Sequence, residues 1–285
     1  MKQRSMPMSE LAAGRLPDNR YLLFRVFKYT VYLLLTYNVY AFFVENHAAA
    51  GAVFSDGLQW GRVIEAYNDS IDTLAWVLLL LVFELETFVL DDRLIRGWVK
   101  WSLNAVSTVC YLFITYSCYG YIAEMVHLTD LSPVVETACE LAAQGGWQLV
   151  VGQDDYVPLA AGNCASLGGT PLLRLADAAV LGSAATWSAI KWLAWTDVIN
   201  ASAWLLVVAI LAFEVWLQLR QKLSERVMRW SQIVKGSLYF TLFLCAIYWG
   251  VSGSFLDFWD AFLWLVAFFF IEMNLFQWQA ETRGE

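Results

Sequence analysis

Hydrophobic residues are gathered into six long runs along the chain, and polar segments separate each run from the next. A helix needs roughly 20 apolar residues to cross the hydrocarbon core of a bilayer, and each run is about that long. The predicted fold class is therefore an all-α polytopic membrane protein. Its six transmembrane helices are expected at residues 22–44, 72–90, 103–123, 201–219, 236–252 and 258–277.

The polar segments define the predicted domain organisation. We expect a cytoplasmic N-terminal segment, three transmembrane helices, an extracytoplasmic segment, three more transmembrane helices and a cytoplasmic tail. These parts take residues 1–21, 22–123, 124–199, 200–278 and 279–285. Within the outer segment, residues 172–195 mix apolar and charged positions and predict an amphipathic helix on the outer interface. The alternative, a further span at 172–195, would invert every later helix.

Composition and charge change this picture by giving it a class and an orientation. Hydrophobic residues make up 59% of the chain and the mean hydropathy is +0.52, which excludes an ordinary soluble domain. Lys and Arg cluster before the first run and in the connections after the second and fourth runs. Because positive charge favours the cytoplasmic side, we expect both termini inside the cell. The expected location is a plasma membrane, of the bacterial inner-membrane type.

Three of the runs resemble one another when they are set in register, at residues 72–88, 200–216 and 260–276. Each opens with Asp or Asn, has Trp at its fifth place and carries an acid deep in the run. The opening residues and tryptophans are Asp72, Asn200, Asp260, Trp76, Trp204 and Trp264. This register predicts three pseudo-repeated helix hairpins about an axis along the membrane normal, with the first span packed beside the last. The alternative is convergence, because many membrane helices carry interfacial Trp and basic inner ends.

Carboxylates within the runs are the candidate functional groups, because an ionised carboxylate in hydrocarbon is costly and needs a partner, a cavity or an ion path. Lys100 is expected to face Glu86, Arg229 to face Glu214, and either Lys28 or Lys235 to serve Glu272. One interpretation is a proton or cation pathway, and the other is a set of buried ion pairs that only hold the helices in register. The residues concerned are Glu84, Glu86, Glu214, Glu272, Asn274, Lys28, Lys100, Arg229 and Lys235.

Two function classes follow from these interpretations. The first is a proton or small-cation channel or transport component that uses the intramembrane carboxylates. The second is a non-conducting structural, sensory or assembly subunit, whose outer segment 124–199 meets a membrane-complex partner or a second copy of the chain. The sequence has no Gly-rich phosphate loop, nucleophile elbow or zinc-protease motif, so nothing supports an enzyme, and no cofactor or nucleic-acid partner is expected.

Cysteine and histidine add two smaller predictions. Cys139 and Cys164 fall in the outer segment, where oxidation is possible, and we expect a disulfide between them. The other three cysteines lie in spans without metal-ligand spacing and are interpreted as small packing residues. Weak candidates for a surface metal site are the two histidines and the acids near them, although ordinary polar residues at helix ends are the preferred interpretation. These four are His47, His127, Glu45 and Glu124.

Overall fold

The computed structural model describes residues 18–53, 63–90, 94, 96–176, 178–220, 224–252 and 255–283. Within these ranges, the side chains of 18–21, 52–53, 64–65, 88, 219 and 271–283 are outside the description. In chain order the elements are α1 (Asp18–Val53), α2 (Val63–Ala66), α3 (Asn68–Glu84), α4 (Trp98–His127), β1 (Leu131–Pro133), α5 (Ala138–Gln144), β2 (Gln148–Gly152), β3 (Asp155–Pro158), α6 (Ala161–Cys164), β4 (Leu172–Leu175), β5 (Val180–Ser183), α7 (Ala184–Leu219), α8 (Glu225–Ser252) and α9 (Phe255–Arg283). A π-helical turn at Leu85–Val89 extends α3.

Six long helices form a closed ring in the order α1, α3, α4, α7, α8, α9 and back to α1. The ring closes because α1 packs on α9, where Asn38 Nδ2 donates to Asp260 Oδ1 at 2.7 Å. The rings of Phe24 and Phe270 meet edge to face, with centroids 5.1 Å apart. The predicted packing of the first long helix beside the last is therefore confirmed. Apolar side chains of α1, α3, α7, α8 and α9 meet in the centre as one core.

Three of these helices are long and apolar enough to cross a membrane among the residues described, namely Trp98–His127, Ala184–Gln218 and Glu225–Ser252. They indicate a membrane protein. Three such helices do not establish six spans or a triple repeat, so both remain proposals.

A small sheet corrects the prediction of an all-α fold. Five strands pair in the order β1-β4-β5-β2-β3 on the segment between α4 and α7. All pairs are antiparallel except β2 with β5. The segment forms strands because their apolar side chains are buried in two clusters, Leu175 and Val180 in one and Leu172 and Leu181 in the other. Since Val180 and Leu181 are successive strand residues, the two clusters lie on opposite faces of the sheet.

The predicted interfacial helix at 172–195 is wrong for the same reason. Residues 172–175 and 180–183 are the adjacent strands β4 and β5, and the helix begins only at Ala184. Ser183 caps it, since its hydroxyl oxygen accepts from the Thr186 backbone N–H at 3.1 Å. From there α7 runs without a break to Leu219, so the amphipathic part and the predicted span at 201–219 are one helix.

The predicted disulfide is present. Cys139 in α5 is bonded to Cys164 at the end of α6, which ties two short helices together on the sheet. Thr137 and Glu140 form a capping box at the start of α5, in which each residue satisfies a backbone N–H of the other. Short helices and strands on this segment are thus held by covalent and capping interactions as well as by their small core.

Candidate functional site

The first predicted acid, Glu84 of α3, is part of a buried ion pair with α1. Lys28 Nζ lies 2.7 Å from Glu84 Oε1, and the exposed fractions of the two residues are 5% each. The hydroxyls of Tyr29 and Tyr32 donate to the same carboxylate at 3.1 and 3.4 Å. Because the charge is balanced and both carboxylate oxygens accept hydrogen bonds, Glu84 is arranged as a packing element.

The second acid, Glu214 of α7, pairs with Lys235 of α8. Lys235 Nζ lies 2.9 Å from Glu214 Oε2, and both side chains are buried. The predicted partner Arg229 is wrong, since Arg229 is exposed near the start of α8. Lys235 lies six residues further along, on another face of the helix, where it points toward α7 at the depth of the acid.

The remaining predicted pairs are not formed or lie outside the description. Glu86 and Lys100 are both exposed, and within the described ranges no ion pair joins them. The side chains of Glu272 and Asn274 are outside the described residues, so a contact of either with Lys28 or Lys235 stays a prediction. Of the predicted acids whose side chains the structure describes, Glu84 and Glu214 are paired with lysines and Glu86 is exposed.

A different set of acids surrounds a cavity of about 80 Å³ that is lined by the first turns of α3 and α9 and by the middle of α7. Four positions of each helix line it, in the pattern Asp-x-x-Asp/Asn-Thr/Ala-x-x-Trp. The twelve residues are Asp69, Asp72, Thr73, Trp76, Asp197, Asn200, Ala201, Trp204, Asp257, Asp260, Ala261 and Trp264. Since positions three, four and seven residues apart share one face of a helix, the three helices turn the same face toward one centre.

The charged residues that the structure describes around this cavity are all acidic. Five half-buried aspartates line it, and none of the lining residues that the structure describes is basic. Two of the carboxylates have neutral neighbours, since Asn38 donates to Asp260 at 2.7 Å and Gln153 Nε2 donates to Asp197 Oδ2 at 2.7 Å. Trp76 and Trp264 lie within hydrogen-bonding reach of Asp72 and Asp260, four residues before them. Such a cavity raises the local concentration of cations.

A layer of aromatic rings forms the floor of the cavity. The ring centroid of Trp76 lies 6.3 Å from that of Trp204 and 6.0 Å from that of Trp264, and Phe268 packs 4.4 Å from Trp204. Beneath this layer is a second, apolar cavity of about 380 Å³ that shares Trp76, Trp264 and Phe268. Leu79, Leu80, Phe83, Tyr111, Val208, Leu211, Ala212 and Val215 complete its wall. Trp76, Trp264 and Phe268 therefore border both an acidic and an apolar cavity.

The turn between β2 and β3 lies at the mouth of the acidic cavity. Gln153 of this turn makes the bond to Asp197 described above, and the next residue, Asp154, has a φ of +61°. Burial raises the pKa of Asp154 well above its ordinary value, and the neighbouring carboxylates of Asp69, Glu45 and Asp257 raise it further. The mouth thus brings acids of the sheet and of the helices together.

Two polar atoms on the cavity wall have no hydrogen-bond partner, Nε1 of Trp249 and Oδ1 of Asn200. The Trp249 side chain is deeply buried, with an exposed fraction of 4%. Buried donors and acceptors are nearly always satisfied by protein, water or a bound group, so these two atoms are available to pair with a molecule in the cavity.

The four weak metal candidates are not assembled into a site. His47 Nδ1 lies 2.8 Å from the Tyr67 hydroxyl, while His127 and Glu124 are exposed at the end of α4. Across the described ranges, no three His, Cys, Asp or Glu side chains are placed to hold a metal ion. The described aspartates of the acidic cavity are included in that statement.

Sequence reasoning identified half of this cavity. It aligned Asp72, Asn200 and Asp260 with their tryptophans, but it treated them as interfacial markers. The acids three residues earlier, at 69, 197 and 257, and the unpaired Trp249 were missed. A signal for the acids was available, since each aligned run is preceded by Asp at the same distance.

No protein-family model, no curated protein and no solved structure matches the chain.

Proposed function

We propose that the chain is a six-span membrane protein that takes up a small cation through the acidic cavity. The observation that carries the proposal is the convergence of four equivalent positions of α3, α7 and α9 on one cavity, whose described wall has five carboxylates and no base. The deep acids Glu84 and Glu214 are supporting ion pairs in this proposal, which is one of the two roles that the sequence analysis left open for them.

The six-span arrangement is supported by the ring itself. Helices α3, α7 and α9 alternate around it with α1, α4 and α8, as expected for three hairpins about an axis along the membrane normal. The axis would pass through the acidic cavity. With both termini cytoplasmic, the sheet and the cavity mouth would face the outside of a plasma membrane of the bacterial inner-membrane type, since the basic connections lie at the other end.

The two compartments suggest how transport would proceed. A cation would leave water at the mouth, exchange part of its hydration for carboxylate oxygens, and then meet the layer of Trp76, Trp204 and Trp264. An apolar constriction of this kind blocks ions while it is dry and passes them when its side chains move apart. The structure is therefore interpreted as the closed form of a channel or carrier.

Charge movement in proteoliposomes tests the proposal. Purified protein on a solid-supported membrane is exposed to a panel of Na⁺, K⁺, ammonium and methylated ammonium ions, and the transient current is recorded. At least one cation should produce a current that the double variant Asp72→Asn/Asp260→Asn lowers at least tenfold. The matched control is Glu86→Gln, an exposed acid at the other end of α3 that should leave the current unchanged. No current with any cation, or an equal loss in both variants, contradicts the proposal.

A second candidate function is a non-conducting subunit, and the two buried ion pairs favour it. In that case the outer sheet would be the contact for a membrane-complex partner or a second copy. Val135 and Val151 on this segment are 95% and 55% exposed, so apolar surface is available for such a contact. This candidate predicts stable complexes that Val135→Lys dissociates in mass photometry, together with no current from any cation.

A further inference from the structure

The cavity wall carries more information than its charge, because it combines carboxylates with aromatic rings. Besides three tryptophans of α3, α7 and α9, the wall contains Phe42, Tyr121, Trp249 and Phe268. Rings and carboxylates together are the chemistry that proteins use to hold quaternary ammonium ions, which have no protons to donate and are attracted to aromatic faces. A small metal ion would need three or more oxygen ligands around one point, and the described acids are not arranged in that way.

The size of the cavity limits the ligand. The cavity volume is about 80 Å³, and one water molecule takes up about 10–15 Å³ of such a volume. The cavity therefore has room for about five to eight non-hydrogen atoms. Tetramethylammonium and choline both fall within this range. Larger amines with long chains do not.

The two unpaired polar atoms specify what the ligand carries besides its charge. Trp249 Nε1–H is a donor without an acceptor, and Asn200 Oδ1 is an acceptor without a donor. A hydroxyl group has the chemistry to pair with both, since its oxygen accepts from an N–H and its proton is donated to an amide oxygen. Asn200 is also the one place where the aligned positions hold an amide and not an acid. It therefore distinguishes one side of an otherwise repeated cavity and would orient the ligand.

We infer that the acidic cavity binds a small quaternary ammonium ion with a hydroxyl group, of which choline is the simplest probe. The inference rests on the proposed uptake of a cation at this cavity and names its chemical class. The ammonium group lies among the carboxylates and aromatic rings, and the hydroxyl lies between Trp249 and Asn200.

Binding of radiolabelled choline to the full-length protein tests the inference, with tetramethylammonium and K⁺ as unlabelled competitors. Choline should bind, and tetramethylammonium should displace it. Trp249→Phe and Asn200→Ala should each weaken choline binding about tenfold, the value of roughly one hydrogen bond, and leave the affinity for tetramethylammonium unchanged. Asn200→Asp keeps an acceptor oxygen and should retain choline binding, which separates a lost hydrogen bond from a damaged fold.

Three results would overturn the inference, and they are distinguishable from one another. If choline and tetramethylammonium do not bind while K⁺ or Na⁺ still produces a current that depends on Asp72 and Asp260, the ligand class is wrong and cation uptake stands. If Trp249→Phe and Asn200→Ala weaken both ammonium ions equally, the hydroxyl assignment is wrong. If no cation binds or moves, the inference and the proposed function both fall.

Discussion

Replacing Lys235 with Met is the sharpest perturbation of the buried ion pair between α7 and α8. Glu214 has an exposed fraction of 1%, and the described structure gives it Lys235 as its cation at 2.9 Å. Methionine fills a similar volume without charge, so the variant leaves a buried carboxylate without its counter-ion. Removing one partner of a buried ion pair costs about 3–5 kcal/mol in stability. We therefore expect a loss of that size.

The measurement is the free energy of unfolding in mixed detergent, obtained by titration with a denaturing detergent and followed by far-UV circular dichroism. Arg229→Met is the matched control, because it removes a base from the same helix at an exposed position. It should change the free energy by less than about 0.5 kcal/mol. Adding Glu214→Gln to Lys235→Met should recover most of the loss, since the stranded charge is then gone.

Two outcomes would refute this reasoning. A neutral Lys235→Met variant would mean that Glu214 is solvated or protonated and is not held by Lys235. A failure of Glu214→Gln to rescue Lys235→Met would mean that the lysine stabilises the ring through other contacts.

Three further predictions concern the sheet and the short helices that pack on it. Cys139→Ser, which opens the bond to Cys164, should lower the stability of the sheet by about 2–4 kcal/mol, measured as faster proteolysis at loops of this segment than in wild type; equal cleavage rates would contradict it. Gly182→Ala should cost about 1–3 kcal/mol in the same assay, because an added Cβ would lie 2.8 Å from Trp187 Nε1, and an unchanged rate would mean that the packing there is loose. Burial raises the pKa of Asp154, so the folded protein retains a proton that the unfolded chain releases near pH 3.9. The stability that this group contributes is full below that pH and falls as the pH rises toward the raised pKa. Asp154→Asn should therefore flatten the dependence of the thermal midpoint on pH. An unaltered slope would mean that other groups cause the pH dependence.

The positions of the long helices were predictable because they depend on the length and spacing of the apolar runs. The predicted runs fall within the long helices, and the packing of α1 on α9 follows from the expected ring. The basic partner of Glu214 could not be predicted from which base stands nearest the connection between α7 and α8. Arg229 is nearer the helix end, but an exposed base gains more from water than from a deep acid, so the buried Lys235 takes the pair.

The sheet could not be fully derived from local pattern. Its strands are three to five residues long, and the β1–β4 and β2–β5 pairings that join β1 and the two hairpins into one sheet connect residues 32 to 44 positions apart in the sequence. A short apolar segment such as 172–175 is equally compatible with a helix until its partners are known. The disulfide was predictable because an even pair of cysteines in an outer segment is a local and compositional signal.

Modification of a cysteine inside the acidic cavity is the most direct test of the central claim, which is selective entry of cations from outside. Ala201 lines the cavity, and Ala201→Cys in a background without the free cysteines at 110, 118 and 245 gives one reactive thiol there. A positively charged, membrane-impermeant thiosulfonate added from outside should react at least about tenfold faster than an anionic one of similar size. Adding Asp72→Asn and Asp260→Asn should remove most of this difference. Equal rates for both reagents, or no reaction with either one, would contradict the account.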